Sequence, residues 1–397
     1  MQQHLLHTPE GVRDIYNTQC ENKLYLEQRF HKSFQSYGYQ AIQTPTFEFF
    51  DIFSREIGTI PSKDLYKFFD REGNTLVLRP DITPSVARCA AKYFSEDETA
   101  VRLYYMGNTF INNSSYQGRL KEVTQAGAEL LGDDSADADA EIIALSIKSL
   151  LSAGLREFQI SIGHVGYFNG LAKAASLEEE LVEEIKELMQ NRNFWGIKEL
   201  IQPLDLEENL KRLFYSLGEF YDRADQLEEL TALADGYPEI KEAILRLMEL
   251  YEVLKLYEAE NYISFELGIP EQKQYQYYTG IVFHGYSFGS GEPIVKGGRY
   301  DRLLAHFGKD FSAIGFAIVV DQILMALERQ NIAIPQANNV SLILYDPQKR
   351  TESVTEACRR RSMGECVELV RKKDGVAEDA YQKYSRQKKY KEVIYIQ

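Results

Sequence analysis

The clearest hydrophobic pattern in the chain is a pair of β-rich runs with turn residues between them. The first run covers 102–110, and 112–118 supplies the turn residues. The second run, 123–131, interleaves small and apolar residues with Gln125 and Glu129. This alternation predicts a long β-hairpin whose second strand carries polar side chains inward.

A shorter hairpin precedes it. Residues 65–78 read as two short strands around a turn at 71–74, and the second strand runs into the sequence Arg-Pro-Asp-Ile-Thr-Pro at 79–84. Proline fixes its own backbone and lacks an N–H donor, so two prolines this close break regular structure. We therefore expect Asp81 and Thr83 in a rigid loop, where their side chains can meet a ligand.

Helical spacing of apolar residues predicts a first helix that Gly38 ends. Pro45 then interrupts an extended run, which marks an edge or irregular strand position. An acidic start and an apolar face predict another helix over 133–151, and 158–164 alternates as a strand. His164 ends that strand, and we interpret it as a hydrogen-bonded structural residue rather than a catalyst.

The rest of the chain changes character twice. Leucine-rich helical spacing over 170–260 predicts a helical insertion with a solvated charged face. Strand patterns then return, and the tail alternates β-α-β-α-β. We predict an α+β fold with an antiparallel sheet flanked by helices. Its core covers 1–169 and 261–332, the insertion 170–260, and a small C-terminal α/β domain 333–397.

Charge and composition narrow the function classes. The 397 residues carry a formal charge of −15, which disfavours tight binding to nucleic acid. The tail after residue 332 is mildly basic, with 13 Lys and Arg against 9 Asp and Glu. No apolar run approaches the roughly 18 residues that span a bilayer, and the N-terminus lacks an export signal pattern. The four cysteines lack CxxC spacing, so we expect reduced thiols and a cytoplasmic protein.

The sequence contains no familiar metal or nucleotide motif. Its six histidines lack HxxxH spacing and cysteine-rich company. Neither a phosphate-binding P-loop nor a dinucleotide fingerprint is present. We therefore expect no metal and no cofactor.

Several separated stretches, in order, resemble class II aminoacyl-tRNA synthetases, and specifically histidyl-tRNA synthetase. The hairpin at 102–132 resembles the second class II motif, and 79–84 resembles the family's Arg-Pro-Glu-Gly-Thr loop. Tyr-Tyr-Thr-Gly at 277–280 and Gly-Gly-Arg-Tyr-Asp at 297–301 match two further family signatures, and 313–323 resembles the third motif.

This resemblance implies a histidine pocket. The residues at the family's histidine-contacting positions are Asp81, Thr83, Gln125, Glu129, Tyr277 and Tyr278. Glu129 and Tyr277 would face the imidazole, whereas Asp81, Thr83 and Gln125 would face the ammonium group. An acid and a phenol suit the two ring nitrogens, and acceptors suit an ammonium. The alternative is a relic cavity filled by polar residues, but an unpartnered buried carboxylate is costly.

The positions that grip ATP in the family differ here. Ile111 replaces the arginine of the α-phosphate, Lys273 replaces the catalytic arginine, and Asp321-Gln322 replaces the Glu-Arg pair at the γ-phosphate. Arginine binds phosphate through a planar, permanently charged fork. Without these arginines, we expect no useful amino-acid activation and no catalytic residues.

A kept amino-acid pocket, lost phosphate arginines and a shortened tail together resemble the regulatory subunits of ATP phosphoribosyltransferase. That resemblance implies a non-enzymatic subunit, which a short-form catalytic subunit needs for the first step of histidine biosynthesis. It also implies feedback inhibition by L-histidine and self-association as a dimer through the core. The helix, strand and proline near Pro45 would form the dimer contact, or they are a plain edge strand.

Two other functions stay open at this point. One is a divergent histidine-activating ligase that uses Lys273 and Arg119 in place of the missing arginines. The other is tRNA binding without catalysis through the basic tail, although the overall acidity argues against it. Histidine could bind in the synthetase-like pocket or at a subunit interface.

Overall fold

A computed structural model gives the structure of the chain. It describes residues 6–53, 60–94, 100–112, 119–222, 225–269, 278–335, 339–373, 375–376, 378–388 and 390–397. The chain divides into two compact units, 1–334 and 335–397. Among the helices that the structure describes, none combines the length and apolar character needed to cross a bilayer.

The strands of the first unit are β1 Gln40–Ala41, β2 Phe47–Phe49, β3 Lys67–Phe69, β4 Thr75–Leu78, β5 Val101–Phe110, β6 Glu122–Leu131, β7 Phe158–His164, β8 Phe220–Tyr221, β9 Ile263–Glu266, β10 Ile281–Ser287, β11 Val295–Arg299 and β12 Ala313–Val319. Its helices are α1 Asn17–Ser36, α2 Thr83–Tyr93, α3 Ala136–Ala153, α4 Val165–Ala174, α5 Glu179–Gln190, α6 Phe194–Ile201, α7 Glu208–Tyr215, α8 Asp225–Leu233, α9 Pro238–Leu256, α10 Asp301–Ala305 and α11 Val320–Arg329.

A mostly antiparallel sheet forms the centre of this unit. Its strand order is β1-β5-β6-β12-β11-β10-β7-β9-β8, with parallel pairing only between β1 and β5 and between β7 and β9. The long hairpin that the sequence predicted is β5 and β6, which pair antiparallel from Val101 with Leu131 to Phe110 with Glu122. The predicted antiparallel sheet flanked by helices is thus confirmed.

Most helices of the first unit pack on the sheet through one large apolar core, whereas α2 and α10 belong to a second, smaller one. Residues of α1, α3 and α9 share the large core with β6, β7 and β12. Ser135 caps α3 by accepting a hydrogen bond from the Ala138 N–H at 3.2 Å, which satisfies one free donor of the first turn. Within the stretch expected to be purely helical, Phe220–Tyr221 adds a two-residue strand that pairs with β9.

A second, three-stranded sheet has the order β2-β4-β3. Its β3 and β4 form the predicted shorter hairpin. Thr83 was expected in the loop after β4, but it is the first residue of α2. Pro84 stands in the first turn, where helices tolerate proline since no backbone N–H is needed there. Only Asp81 therefore lies in the loop proper.

The second unit is a small three-stranded parallel sheet. Its elements are β13 Val340–Tyr345, α12 Arg350–Ser362, β14 Cys366–Arg371, α13 Glu378–Lys388 and β15 Glu392–Ile396. The strand order is β14-β13-β15, and β13 pairs in parallel with both neighbours. The central strand is nearly all buried, as expected for a parallel sheet.

Candidate functional site

A cavity opens on one face of the large sheet, above β6, β11 and β12. Its polar lining residues are Asp81, Thr83, Gln125, Tyr278, Lys296 and Tyr300, and the other lining residues are Gly315, Phe316, Ala317 and Val319 of β12. Four of the six residues predicted to bind histidine are therefore brought together around one space. Of the other two, Glu129 lies just beneath it, and Tyr277 lies outside the described residues.

Small residues on neighbouring strands leave the space for this cavity. Gly315 pairs with Glu129 on one side and with Gly298 on the other, and Ala317 pairs with Gly127. A Cβ atom at position 315 would overlap the Glu129 carboxylate. Strand residues paired in this way point to the same face of the sheet, so the glycines and the alanine form a low floor for a ligand.

Glu129 is a fully buried acid, with 0% of its surface exposed. Its Oε1 accepts a hydrogen bond from the Thr83 hydroxyl at 2.8 Å, and its Oε2 accepts one from the Tyr300 hydroxyl at 2.5 Å. Burial raises the pKa of Glu129 to about 8, although both hydroxyl donors work in the opposite direction. The group is therefore mostly protonated near neutral pH, and it holds a proton that an imidazole could take.

Asp81 and Thr83 are positioned by a buried arginine. Arg79 donates to the carbonyl oxygens of Asn108 at 2.8 Å and Thr44 at 2.9 Å, which fixes the end of β4 against its neighbours. In the loop that follows, the Asp81 Oδ1 accepts from the Ile82 N–H at 2.8 Å. The arginine of this motif thus serves the backbone, and the acid and the threonine are turned toward the cavity.

Gln125 carries an unpartnered acceptor. Only 6% of its surface is exposed, and its Oε1 has no hydrogen-bond partner within the part of the chain that the structure describes. A buried amide oxygen without a partner costs free energy, roughly 1–3 kcal/mol. Because Gln125 lines the cavity, a donor on a bound ligand would remove this cost.

Tyr278 and Tyr300 complete the aromatic part of the lining. The Tyr278 ring lies over Gly298, where an added Cβ would come within 2.8 Å of it. Tyr300 is fully buried and contacts Glu129 through its hydroxyl. Sequence reasoning missed Tyr300 and Lys296 as site residues. The signal for Tyr300 was present, because it belongs to the matched signature at 297–301, whereas Lys296 stands just before that signature.

The remaining residues of that signature brace the fold. Arg299 forms an ion pair with Asp139 of α3 at 2.7 Å and another with Asp301 at 3.2 Å. The Thr279 hydroxyl donates to the Asp301 Oδ2 at 2.7 Å. On the other side of Asp139, Arg246 of α9 pairs with it at 2.7 Å. This network ties β11 and the start of α10 to two helices. It therefore fixes the strand that carries Lys296, one of the residues lining the cavity.

The nucleotide side of the site has a different character. Ile111 packs beside an apolar cluster that includes Phe53 and Val77. Asp321 accepts from the Arg13 guanidinium at 3.1 Å and from the Thr124 N–H at 3.0 Å. Gln322 is half-buried. An apolar side chain and a carboxylate paired within the protein offer nothing to a triphosphate.

In the ligase alternative, two other cationic residues would have to replace the missing arginines. Arg119, which the ligase alternative needs, forms an ion pair with Glu292 at 2.6 Å and is about half exposed. Lys273, the other residue of that alternative, lies outside the described residues. Within the described ranges, no group of three or more His, Cys, Asp or Glu side chains is placed to hold a metal ion.

His164 has a local structural contact. Its Nδ1 accepts a hydrogen bond from the Gly166 N–H at 3.0 Å, which caps the start of α4. Burial lowers the pKa of His164 to about 4, with Arg246 and Arg299 contributing in the same direction. It is therefore neutral at neutral pH and carries its proton on Nε2.

Comparison with known proteins gives consistent results. The family model of histidyl-tRNA synthetase matches residues 11–323. The ATP phosphoribosyltransferase regulatory subunit of Ruminiclostridium cellulolyticum is 37% identical over 393 residues, which cover 98% of this chain and 92% of that protein. The regulatory subunit of Acetivibrio thermocellus is 36% identical and covers 92% of this chain and 86% of its own length.

Two solved structures extend the comparison. A protein of Bacillus halodurans described as an ATP phosphoribosyltransferase regulatory subunit/histidyl-tRNA synthetase has a TM-score of 0.86 at 33% identity and covers 99% of both chains. Histidyl-tRNA synthetase from Nostoc sp. has a TM-score of 0.79 at 17% identity, covering 97% of this chain and 90% of that one, and so shares the fold. The chain belongs to the family of ATP phosphoribosyltransferase regulatory subunits, non-catalytic members of the histidyl-tRNA synthetase fold.

Proposed function

We propose that this chain activates a short-form ATP phosphoribosyltransferase catalytic subunit in the first step of histidine biosynthesis. It also carries the L-histidine site through which that step is inhibited. The relatives' names support the association with the transferase. The cavity on the large sheet supports the histidine site.

The observation that carries the histidine site is the unpartnered Oε1 of Gln125 in a cavity that also presents Asp81 and Thr83. An ammonium group offers three donors, so it suits an amide oxygen, a carboxylate and a hydroxyl together. Glu129 lies beneath the cavity, is mostly protonated near neutral pH, and accepts hydrogen bonds from two hydroxyl groups. An imidazole, which both donates and accepts, matches that arrangement.

Tyr277 and Tyr278 belong to the same proposal. Tyr278 closes the cavity above Gly298. Tyr277 comes from the resemblance alone, where it faces the imidazole together with Glu129. We place histidine in this pocket rather than at a subunit interface because the acceptors for its ammonium group converge there.

Feedback requires that histidine distinguish between two states of the complex. A ligand that binds both states equally shifts nothing, however tightly it binds. Allosteric coupling energies are typically about 1–3 kcal/mol, which corresponds to roughly 5- to 150-fold in affinity. Histidine in the cavity would thus stabilise the less active arrangement of the catalytic subunits.

Calorimetric titration of the chain with L-histidine and with ATP is the first test. We expect histidine to bind and ATP not to bind, because the nucleotide side offers Ile111 and a paired Asp321 where a triphosphate needs cations. Histidine-dependent pyrophosphate exchange would instead establish the ligase alternative. Absence of histidine binding would overturn the proposed site.

The second test uses the complete complex. Gln125→Leu removes the amide acceptor and keeps an apolar side chain of similar size. The variant should still activate the catalytic subunit. Inhibition should require at least roughly 10-fold more histidine, because a hydrogen bond to a charged group contributes about 1.5–3 kcal/mol. Unchanged inhibition would place the effector elsewhere.

We also propose that the chain dimerises through its second sheet. Phe47 and Phe49 of β2 are 52% and 55% exposed, and Phe68 of β3 is 38% exposed. The rings of Phe47 and Phe68 contact each other at 5.7 Å on one face, where Leu76 pairs with both strands. Several exposed aromatics on one sheet face favour an interaction surface over a plain edge strand.

Sedimentation equilibrium distinguishes these two interpretations. Phe49→Ser should weaken the dimer, whereas Phe69→Ser should not, because Phe69 is 72% exposed but pairs with Thr75 on the opposite face. Equal effects of the two variants would argue against this face as the contact.

A further inference from the structure

The cavity contains a lysine that the resemblance does not explain. Lys296 stands on β11, where it pairs with Ala317 of β12 and with His284 of β10. The next residue of the same row, across β12, is Gly127. Because its neighbours toward β6 are so small, Lys296 is the long side chain that enters the cavity from this row.

Lys296 lies in a place where a cation is expensive. Burial lowers its pKa, and the Arg119 guanidinium acts in the same direction, whereas the carboxylates of Glu292 and Asp81 oppose them. Glu292 is already bound to Arg119 at 2.6 Å. The Glu292 and Asp81 carboxylates favour the charged ammonium form, which is the form that a ligand carboxylate can bind.

The charges around the cavity match one class of ligand. Asp81 contributes a carboxylate, and Lys296 is the single cationic side chain among the described residues that line the space. With Asp81, Thr83 and Gln125 assigned to an ammonium group, the carboxylate of an amino acid still needs a cation. The hydroxyl protons of Thr83 and Tyr300 are already donated to Glu129, so neither hydroxyl can donate to that carboxylate.

We propose that Lys296 binds the α-carboxylate of the ligand, so that the cavity selects a zwitterionic amino acid over the corresponding amine. This assignment rests on the proposed histidine site and adds its specificity determinant. An ammonium group binds a carboxylate through a charge-assisted hydrogen bond, which is roughly twice as strong as a neutral one. Regulation would then respond to the amino acid itself and ignore its decarboxylated or reduced forms.

The test compares L-histidine with histamine, which has the same imidazole and ammonium groups but no carboxylate. Calorimetry on the full chain should show histidine binding about 10- to 100-fold more tightly. Lys296→Met should weaken histidine by a similar factor and leave histamine unchanged. Lys296→Arg, which keeps the positive charge, should restore part of the preference for histidine.

Two controls make the result specific. Lys148→Met makes the same chemical change at an exposed position of α3 and should alter neither affinity. Thermal unfolding of each variant reports whether the fold is retained. If Lys296→Met weakens histidine and histamine equally, or weakens neither, the assignment of Lys296 is wrong while the histidine site stands. If the wild-type chain binds no histidine, both proposals fail.

Discussion

The amino-acid side and the nucleotide side of the site lie on the same hairpin but are built differently. In β6, Gln125 and Glu129 keep buried polar groups, one without a partner and one bonded to two hydroxyls. Just beyond the end of β5, Ile111 packs with apolar residues. On this hairpin, the unpartnered buried polar atom among the described residues, Gln125 Oε1, lies on the side that we assign to a ligand.

This difference indicates how a synthetase fold can serve regulation. Triphosphate binding depends on a few arginine forks, and replacing them leaves the sheet intact. The amino-acid cavity depends on packing among β6, β11 and β12, including the glycines of its floor. One half of the site can therefore lose its ligand while the other half keeps its shape.

The strongest test of this difference is Ile111→Arg, which introduces the residue type found at this position in the synthetase family. We expect the unfolding free energy to fall by about 2 kcal/mol or more, because a guanidinium would enter an apolar cluster. Urea denaturation measures the loss, with Ile111→Leu as the matched control. A variant that keeps wild-type stability and binds ATP would show that the apolar packing of Ile111 is not what excludes the nucleotide.

The pH dependence of the unfolding free energy tests whether Glu129, on the amino-acid side, is protonated in the folded state. Burial raises the pKa of Glu129 to about 8, so the folded state holds this proton more tightly than the unfolded state. Its contribution is complete below the unfolded pKa and is lost as the pH rises through about 8. Relative to Glu129→Gln, the wild type should therefore lose stability, on the order of a few kcal/mol, between about pH 5 and about pH 9.

Urea denaturation of both proteins across this range is the measurement. Glutamine has the same shape and no titration, and the Thr83 and Tyr300 hydroxyls can reorient toward its amide. Parallel stability curves would mean that Glu129 titrates alike in the folded and unfolded states.

Tyr300→Phe has a smaller expected effect and tests whether Glu129 needs the hydrogen bond from the Tyr300 hydroxyl. The substitution removes the 2.5 Å hydrogen bond to Glu129 while the ring stays buried. The pKa of Glu129 should rise further, since that donor lowers it. Histidine affinity should fall roughly 3- to 10-fold, in line with about 1 kcal/mol for a hydrogen bond. Titration calorimetry would detect this loss, and an unchanged affinity would separate Tyr300 from the binding site.

The elements of the fold could be predicted from local patterns. Alternation in 102–110 and 123–131 gave the central hairpin, and the β7 strand was predicted over its full observed range, Phe158–His164. The start of α2 at Thr83 was missed because two prolines were interpreted as excluding a helix. In fact, Pro84 occupies the one turn that tolerates it.

The site was only partly predictable, since its contacts join distant segments. Arg299 and Asp139 are 160 positions apart, and Tyr300 and Glu129 are 171 apart. No local periodicity reports such pairs. Lys296 was missed for a related reason: its importance comes from Ala317 and Gly127 on neighbouring strands, and a small residue becomes informative only when the strand pairing is known.

The smallest expected effect concerns Arg13, whose guanidinium meets Asp321 at 3.1 Å. Arg13→Gln breaks this pair but keeps a donor of similar reach, and the Arg13 side chain is about half exposed. The Asp321 side chain is buried, but the Thr124 N–H still donates to it and half of the Arg13 side chain faces solvent, so stability should change by only about 1 kcal/mol. Histidine affinity should not change at all, because the pair belongs to the nucleotide side. Calorimetry would reveal any such change, and a weakened histidine affinity would mean that the two sides are energetically coupled through α11.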